Sequence, residues 1–419
     1  NPNHEAFNQW FKYYAKESHT INWDEITEKE KQLIKDEVSI FSSYRKLFSL
    51  LLFSILATLI VSLCYSNFGK EIAIFSIFIT LFCNSLSTFS NYYIVDVPLA
   101  TSVILFFVIL HKLTKINLKS LFILTLISSI SIAFKYTGLY LLFLTLIISF
   151  TYTMNKNIIF RENSFYKICY FFFGSLIFFG ILMLTFNESI FDELKKLTSD
   201  NFIEPGYFSL FYKVAYSSFL IGIISILIIL FNRKKSYTFL KYIINPINIS
   251  IIFLSILLLF TLTPFTFIEW QSTLKHFLRE LLHMQIGDAA YTTYNTKAYN
   301  QIFNQQKTWV PLLFYSKQIL LNFGITGIIF SLIGFSRNKV LIDKYIFLFF
   351  VLMFFTLCTW TNYQARYFLT LYPIIIYQIS KGIYTINAKI NKKYNYKFQY
   401  QYLFFSLIII EQLKNYYHF

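Results

Sequence analysis

The sequence predicts an all-α polytopic membrane protein, and its composition and its hydrophobic pattern both support this prediction. Of the 419 residues, 56% are hydrophobic and only 14% are charged, whereas charged residues make up roughly 25% of a soluble domain. The apolar residues are concentrated in long runs with short polar connections between them. A helix needs about 20 such residues to cross a bilayer.

The runs divide the chain into a polar segment, 1–45, and a membrane domain that we expect over 46–413. The apolar runs are 46–66, 71–90, 97–110, 118–134, 138–153, 166–186, 214–231, 243–268, 317–335, 345–360, 367–384 and 398–410. They predict about twelve transmembrane helices. Within 1–45, Thr27 and Glu30 match a capping box. The helix that follows them is amphipathic, which is typical of a membrane surface but also of a solvated leader helix.

The connections between the runs predict the orientation of the chain. Every second connection is rich in Lys and Arg, namely 112–119, 156–167, 233–241, 337–344 and 389–397. Basic loops of this kind stay in the cytoplasm. The formal net charge of +16 is therefore explained by topology, without a nucleic-acid partner. We expect a multi-pass protein of a bacterial plasma membrane.

The longest connection of the second half, 269–316, is predicted to form an interfacial helical region on the outer face. Glu269, His276, Glu280 and His283 have the spacing to share one side of a helix. Such a side is compatible with metal binding. We interpret it as the wet side of an interfacial helix, so no metal site is predicted.

Asp96 is an ionisable residue between two apolar runs, and a charge at the bilayer centre is costly. We therefore expect it at a water interface on the outer face, as a candidate catalytic base. An alternative is that Asp96 is the N-cap of the next helix, with Pro98 in the first turn. Lys135 and Arg366 interrupt apolar sequence on the same predicted face. They either extend to the interface or hold a phosphate.

Several short motifs within 44–384 occur in an order that resembles a known family of membrane enzymes. They are Tyr44-Arg45-Lys46-Leu47, Gly69-Lys70, Asp96-Val97-Pro98-Leu99, Lys135-Tyr136-Thr137-Gly138, Thr263-Pro264-Phe265, Gln364-Ala365-Arg366-Tyr367 and Leu371-Tyr372-Pro373. Their order resembles the C-type membrane glycosyltransferases. The likeness is to the branch of protein mannosyltransferases, aminoarabinose transferases and Rgt-like enzymes.

The resemblance implies an enzyme that takes a sugar from a polyprenyl-phosphate carrier on the outer face and transfers it to a lipid, glycan or protein. In this family the acid of the first outer loop is usually the main catalytic carboxylate, and the acid of the second outer loop, which Asp96 matches, assists it. We predict that Asp96 supports base catalysis or orients the acceptor, and that Lys135 and Arg366 contact the carrier phosphate. Further contacts with donor or acceptor are expected from Tyr92, Tyr93, Glu269, His283 and Tyr367. No cofactor is predicted with certainty, and a divalent cation is left open.

The chain departs from this family at the catalytic acid of the first outer loop. Asn1-Pro2-Asn3-His4 is similar to the region just after that acid. We therefore expect the sequence to be truncated at its N-terminus. Two other functions remain open: a transporter or lipid flippase without transferase activity, and a glycan polymerase or ligase. A transporter usually has charged or broken-helix sites near the bilayer midplane.

Overall fold

The computed structural model of the chain describes residues 28–90, 95–113, 116–185, 204–231, 237, 240–264, 268, 309–337, 340–359, 365–394 and 400–417. Within these ranges the chain is helical and contains no strand, as the sequence predicts. The described residues include α1 Glu28–Phe68, α2 Lys70–Leu81, α3 Asn84–Ser90, α4 Asp96–Lys112, α5 Leu118–Phe134, α6 Leu139–Lys156 and α7 Glu162–Thr185. They continue with α8 Glu204–Phe231, α9 Pro246–Leu262, α10 Trp309–Phe335, α11 Leu341–Thr359, α12 Tyr372–Tyr394 and α13 Tyr400–Tyr417.

Five helical segments among the described residues are long and apolar enough to cross a membrane, which indicates a membrane protein. They are Leu47–Phe68, Tyr136–Lys156, Ser164–Leu182, Val310–Phe335 and Leu341–Cys358. Three shorter apolar helices are Leu118–Phe134, Ala215–Phe231 and Pro246–Leu262. These helices coincide with predicted apolar runs, while the full number of spans stays a prediction.

The N-terminal helix does not end where the polar segment meets the first apolar run. Helix α1 continues from Glu28 to Phe68 without interruption, so it crosses the expected boundary between 45 and 46. It stops at Gly69, whose φ of 88° lies in a region that glycine adopts without steric cost. The next helix, α2, starts directly after this turn.

The apolar run 71–90 was expected to form one helix, and this expectation is wrong. The chain breaks at Phe82 and Cys83, between α2 and α3. The Asn322 side chain on α10 explains how the break is tolerated, since its Oδ1 accepts a hydrogen bond of 2.8 Å from the backbone N–H of Ser85. The thiol of Cys83 also donates to Oδ1, at 3.4 Å. A polar side chain from another helix thus replaces the missing intrahelical partner.

Helix α12 forms the centre of the bundle. Every residue from Tyr367 to Ile383 is buried, and α12 packs against α1, α2 and α10. The helices α10 and α12 approach each other closely at Gly382, since a Cβ at this position would overlap the carbonyl oxygen of Phe330. Glycine therefore fixes the distance between these two helices.

An ion pair is buried within this centre. Lys381 Nζ lies 2.8 Å from Asp343 Oδ2, and the Tyr377 hydroxyl donates to Asp343 Oδ1 at 3.1 Å. Both carboxylate oxygens of Asp343 are thus occupied. The pair lies towards the C-terminal end of α4, where Asp343 acts electrostatically on His111.

Replacing Gly382 with Ala is expected to destabilise the protein by about 1–3 kcal/mol, because the added methyl group forces α10 and α12 apart. Thermal unfolding of the detergent-solubilised protein measures this loss. Gly174→Ala is the matched control, since a Cβ there meets nothing within 4 Å. Equal unfolding temperatures for the two variants would contradict the close packing.

Candidate functional site

Asp96 and Lys135 form an ion pair. Asp96 is the first residue of α4, and Lys135 is an extended residue between α5 and a 3-10 helix, Tyr136–Gly138. Lys135 Nζ donates to Asp96 Oδ1 at 2.6 Å, and the two side chains are only 13% and 5% exposed. The negative charge also lies at a helix N-terminus, which the helix dipole stabilises. The pair therefore links the start of α4 to the hairpin between α5 and α6.

The structure shows Asp96 as a buried residue, with a side chain only 5% exposed and its Oδ1 bonded to the ammonium of Lys135. Its position at a water interface stays a prediction. The alternative that Asp96 caps its helix is wrong: the N-cap is Val95, and no side chain makes a capping hydrogen bond there. Asp96 instead lies in the first turn, as a buried carboxylate with a charged partner.

Tyr367 brings the second predicted cation to the same place. It lies in a 3-10 helix, Ala365–Phe368, just before α12. Lys135 Nζ is 4.7 Å from the centre of the Tyr367 ring, and Arg366 Cζ is 5.3 Å from it. Both cations thus lie around the Tyr367 ring, and Lys135 also contacts Asp96. These four residues, Asp96, Lys135, Arg366 and Tyr367, were singled out in the sequence and are called the Asp96 group. Two cations and one carboxylate give the group a net positive charge.

The group has hydrogen-bonding capacity that the described residues do not use. Asp96 Oδ2 has no partner among them. Arg366 Nε is buried without a hydrogen-bond partner. The same holds for the hydroxyl of Thr137, two residues after Lys135, and for that of Thr370, four residues after Arg366. Buried polar atoms are normally paired. Unused donors beside a positive charge are what an anionic ligand such as a phosphate requires.

The two buried ion pairs differ in how the oxygens of the carboxylate are used. At the Asp343–Lys381 pair both carboxylate oxygens are bonded. At the Asp96–Lys135 pair one oxygen and a neighbouring guanidinium nitrogen are left over. We therefore take the Asp96 group as the candidate functional site, and the Asp343 pair as part of the helix packing.

Four of the predicted site residues cannot be compared with the structure. Tyr92, Tyr93, Glu269 and His283 lie outside the described residues. No group of three or more potential metal ligands occurs in the described part of the chain. Among its four members, the Asp96 group has a single carboxylate, that of Asp96.

The sequence analysis missed a second polar region, at a break inside α10. Gly324 has φ 67° and ψ −179°, so the helix is interrupted there. Glu411 on α13 bonds to the restarted helix: its Oε2 accepts from the Thr326 backbone N–H at 3.0 Å, and its Oε1 from the Thr326 hydroxyl at 2.7 Å. A Cβ on Gly324 would collide with this carboxylate. A glutamate thus closes the N-terminus of a half-helix within an apolar segment.

Polar side chains of α13 also form hydrogen bonds with backbone carbonyl groups of α10 on the N-terminal side of this break. Gln412 Nε2 donates to the carbonyl of Asn322 at 2.8 Å, and Asn415 Nδ2 donates to that of Leu321 at 2.9 Å. Asn322 Nδ2 in turn donates to the Tyr372 hydroxyl at 3.1 Å. The sequence holds one signal for this region, the polar residues Glu411, Gln412 and Asn415 that follow the last apolar run.

Comparisons of the chain with models of protein families, with curated proteins and with solved structures find no match. The geometry of the described residues is therefore the basis for a functional proposal.

The ion pair predicts strong coupling between Asp96 and Lys135. Asp96→Asn and Lys135→Met each leave a buried charge without its partner, which costs roughly 3–5 kcal/mol of the free energy of unfolding. The double variant is expected to lose clearly less than the two single losses combined. Denaturant unfolding of the four proteins measures the coupling.

Asp96→Asn combined with Lys381→Met is the control, because Lys381 belongs to the other ion pair. Its two effects are expected to add to within about 0.5 kcal/mol. Additive losses for Asp96→Asn and Lys135→Met would contradict a direct interaction.

Proposed function

We propose that the protein is an integral-membrane glycosyltransferase. In this proposal it moves a sugar from a polyprenyl-phosphate donor to a lipid, glycan or protein acceptor on the extracytoplasmic face. The grouping of Asp96, Lys135, Arg366 and Tyr367 supports this proposal. Asp96 and Lys135 are 39 positions apart, and Arg366 comes from the second half of the chain. A carboxylate and two cations that meet from such distant segments are suited to hold an anion beside a base.

Each charge has a role in this reaction. The acceptor hydroxyl oxygen attacks the anomeric carbon of the sugar, and its proton passes to Asp96, whose Oδ2 is unused among the described residues. The bond from the anomeric carbon to the phosphate oxygen breaks, and the phosphate leaves with the electron pair. Arg366 stabilises this leaving group, because guanidinium donors match phosphate oxygens. Cations aimed at developing charge lower the barrier.

Lys135 has two tasks in this proposal. With no donor bound, its ammonium neutralises the buried Asp96 carboxylate. When the donor phosphate enters, the same ammonium lies between two anions and orients both. The Tyr367 ring holds Lys135 in position through a cation–π contact, at 4.7 Å.

The proposal includes the membrane arrangement expected from the sequence. It has about twelve spans, with the basic connections in the cytoplasm and the Asp96 group on the outer face. The connection from 269 to the start of α10 lies outside the described residues, and the proposal assigns it to that face, in a bacterial plasma membrane. The five long apolar helices support the membrane location.

Asp96→Asn is expected to reduce sugar transfer by roughly 10²–10⁴-fold, the contribution of a positioned base. The assay uses membranes with radiolabelled polyprenyl-phosphate sugars, and rates are expressed per folded protein. Asp343→Asn is the matched control, because it removes a carboxylate from the other buried ion pair and leaves the proposed site intact. Equal rates for wild type and Asp96→Asn, in the presence of measurable transfer, would exclude Asp96 as the base.

A second candidate function is transport, and the break in α10 favours it. Transporters often place discontinuous helices at the midplane and bind ions at the ends of the half-helices. Gly324 lies near the middle of α10, and Glu411 bonds to the restarted half. Glu411 thus places an ionisable group against the candidate membrane span Val310–Phe335, and such a group is a functional candidate in its own right.

If the protein is a proton-coupled transporter, Glu411→Gln is expected to abolish potential-driven proton uptake by proteoliposomes, measured with an internal pH dye. Glu162→Gln, at an exposed glutamate, is the control and retains the uptake. No uptake by the wild type above protein-free liposomes would speak against this function. Uptake unchanged in Glu411→Gln would exclude Glu411 from the pathway.

A further inference from the structure

An apolar groove lies between α6, α7 and the segment that leads into α9. Its volume is about 590 Å³, within the range of small-molecule sites. Its walls are almost entirely hydrocarbon and include Phe143, Phe150, Ile168, Phe172, Ile243 and Ile252. Its lining includes no residue of the Asp96 group and none at the break in α10, and neither proposed function uses it.

The groove exists because α7 packs mainly against α8. Phe165, Tyr166 and Cys169 of α7 and Ile229 of α8 form a hydrophobic cluster separate from the main core. Tyr237, Leu240 and Ile244 pack against this cluster. Leu240 and Ile244 also line the groove beside α6 and α9. Tyr237 and residues 240–244 thus join the α7–α8 pair to the bundle at one end, and an apolar gap lies beyond them.

Hydrogen bonds fix the helix ends at this joint. The Tyr237 hydroxyl donates to the carbonyl of Phe160 at 2.9 Å, and the Tyr242 hydroxyl donates to Asn157 Oδ1 at 3.1 Å. The end of α6 and the start of α7 are therefore held against the residues that precede α9. One end of the groove is built from all three.

This end is strongly basic. It carries Lys156 at the end of α6, Arg161 and Lys167 at the start of α7, and Lys241 before α9. Glu162 is the one acidic residue among the described residues of these turns. Lys241 Nζ lies 5.0 Å from the centre of the Tyr242 ring. The mouth of the groove thus has a positive charge that complements an anion.

One wall residue points to a ligand independently of this charge. Asn248, in the first turn of α9, lines the groove and is only 6% exposed. Its Nδ2 donates to the carbonyl of Ile243 at 2.7 Å, whereas its Oδ1 is buried without a hydrogen-bond partner. The amide oxygen can accept from a hydroxyl group, which an apolar chain alone does not supply.

We propose that this groove binds one anionic phospholipid whose headgroup carries a hydroxyl. The acyl chain fills the apolar gap, the phosphate lies among Lys156, Lys167 and Lys241, and a headgroup hydroxyl donates to Asn248 Oδ1. Phosphatidylglycerol has each of these groups. The site is independent of the proposed transferase chemistry.

Photocrosslinking of the full chain in nanodiscs tests this assignment. The probes are phosphatidylglycerol and phosphatidylcholine with the same photoactivatable acyl chain, and adducts are mapped by mass spectrometry to 143–150, 168–173 and 240–252. The anionic probe is expected to label these segments more strongly, by roughly fivefold for each lysine that contacts the headgroup. Lys156→Gln combined with Lys167→Gln and Lys241→Gln is expected to abolish this preference.

Two controls separate headgroup from chain. Lys112→Gln combined with Lys119→Gln and Lys392→Gln changes three exposed lysines elsewhere and should keep the preference. Ile252→Trp fills the groove and should reduce labelling by both probes, whereas Ile256→Trp, one turn further along α9 and outside the lining, should not. Equal labelling by both probes in the wild type would identify unselective bulk lipid. No labelling of these segments would mean that protein covers the groove, and either result overturns the proposal.

Discussion

Within a membrane no water is available to satisfy a backbone group, and this constraint decides where the chain can interrupt its helices. The break between α2 and α3 is tolerated because Asn322 accepts the backbone N–H of Ser85. The break within α10 is tolerated because Glu411 accepts the N–H of Thr326 and Gln412 donates to the carbonyl of Asn322. Asn322 links the two breaks, because its side chain bonds to Ser85 and its carbonyl oxygen to Gln412. Helix α13 is held in place by its hydrogen bonds to both halves of α10.

Charge is subject to the same constraint. Among the described residues two carboxylates are buried, those of Asp96 and Asp343, each in the first turn of a helix and each beside a lysine. At Asp343 the surrounding groups use both oxygens, which is the arrangement expected of a structural pair. At Asp96 an oxygen, the Nε of Arg366 and two threonine hydroxyls remain unused among the described residues. A site that retains both an unused acceptor and unused donors is suited to a polar ligand. For this reason the Asp96 group, and not the Asp343 pair, is taken as the candidate functional site.

The apolar runs were sufficient to predict most of the described helices, since burial in a bilayer selects for uninterrupted apolar sequence. They could not predict the break at Cys83, because the partner that permits it, Asn322, lies 239 positions away. The same reason hides the break at Gly324, whose partner is on α13. Alternation of basic loops was enough to expect Asp96, Lys135 and Arg366 on one face. It could not reveal that Lys135 contacts Asp96 directly or that both side chains are buried. Which side chains pair depends on how the helices pack against one another, and this packing cannot be derived from the apolar runs of a single sequence.

The central claim is that the Asp96 group binds the phosphate of a lipid-linked donor. The position of a polyprenyl phosphate in an electron cryo-microscopy map of the protein tests this claim most directly. The account predicts density for the phosphate within hydrogen-bond distance of Arg366, with Lys135 between it and the carboxylate of Asp96. Phosphate density elsewhere, for example among Lys156, Lys167 and Lys241, with the Lys135–Asp96 pair unchanged, would contradict it.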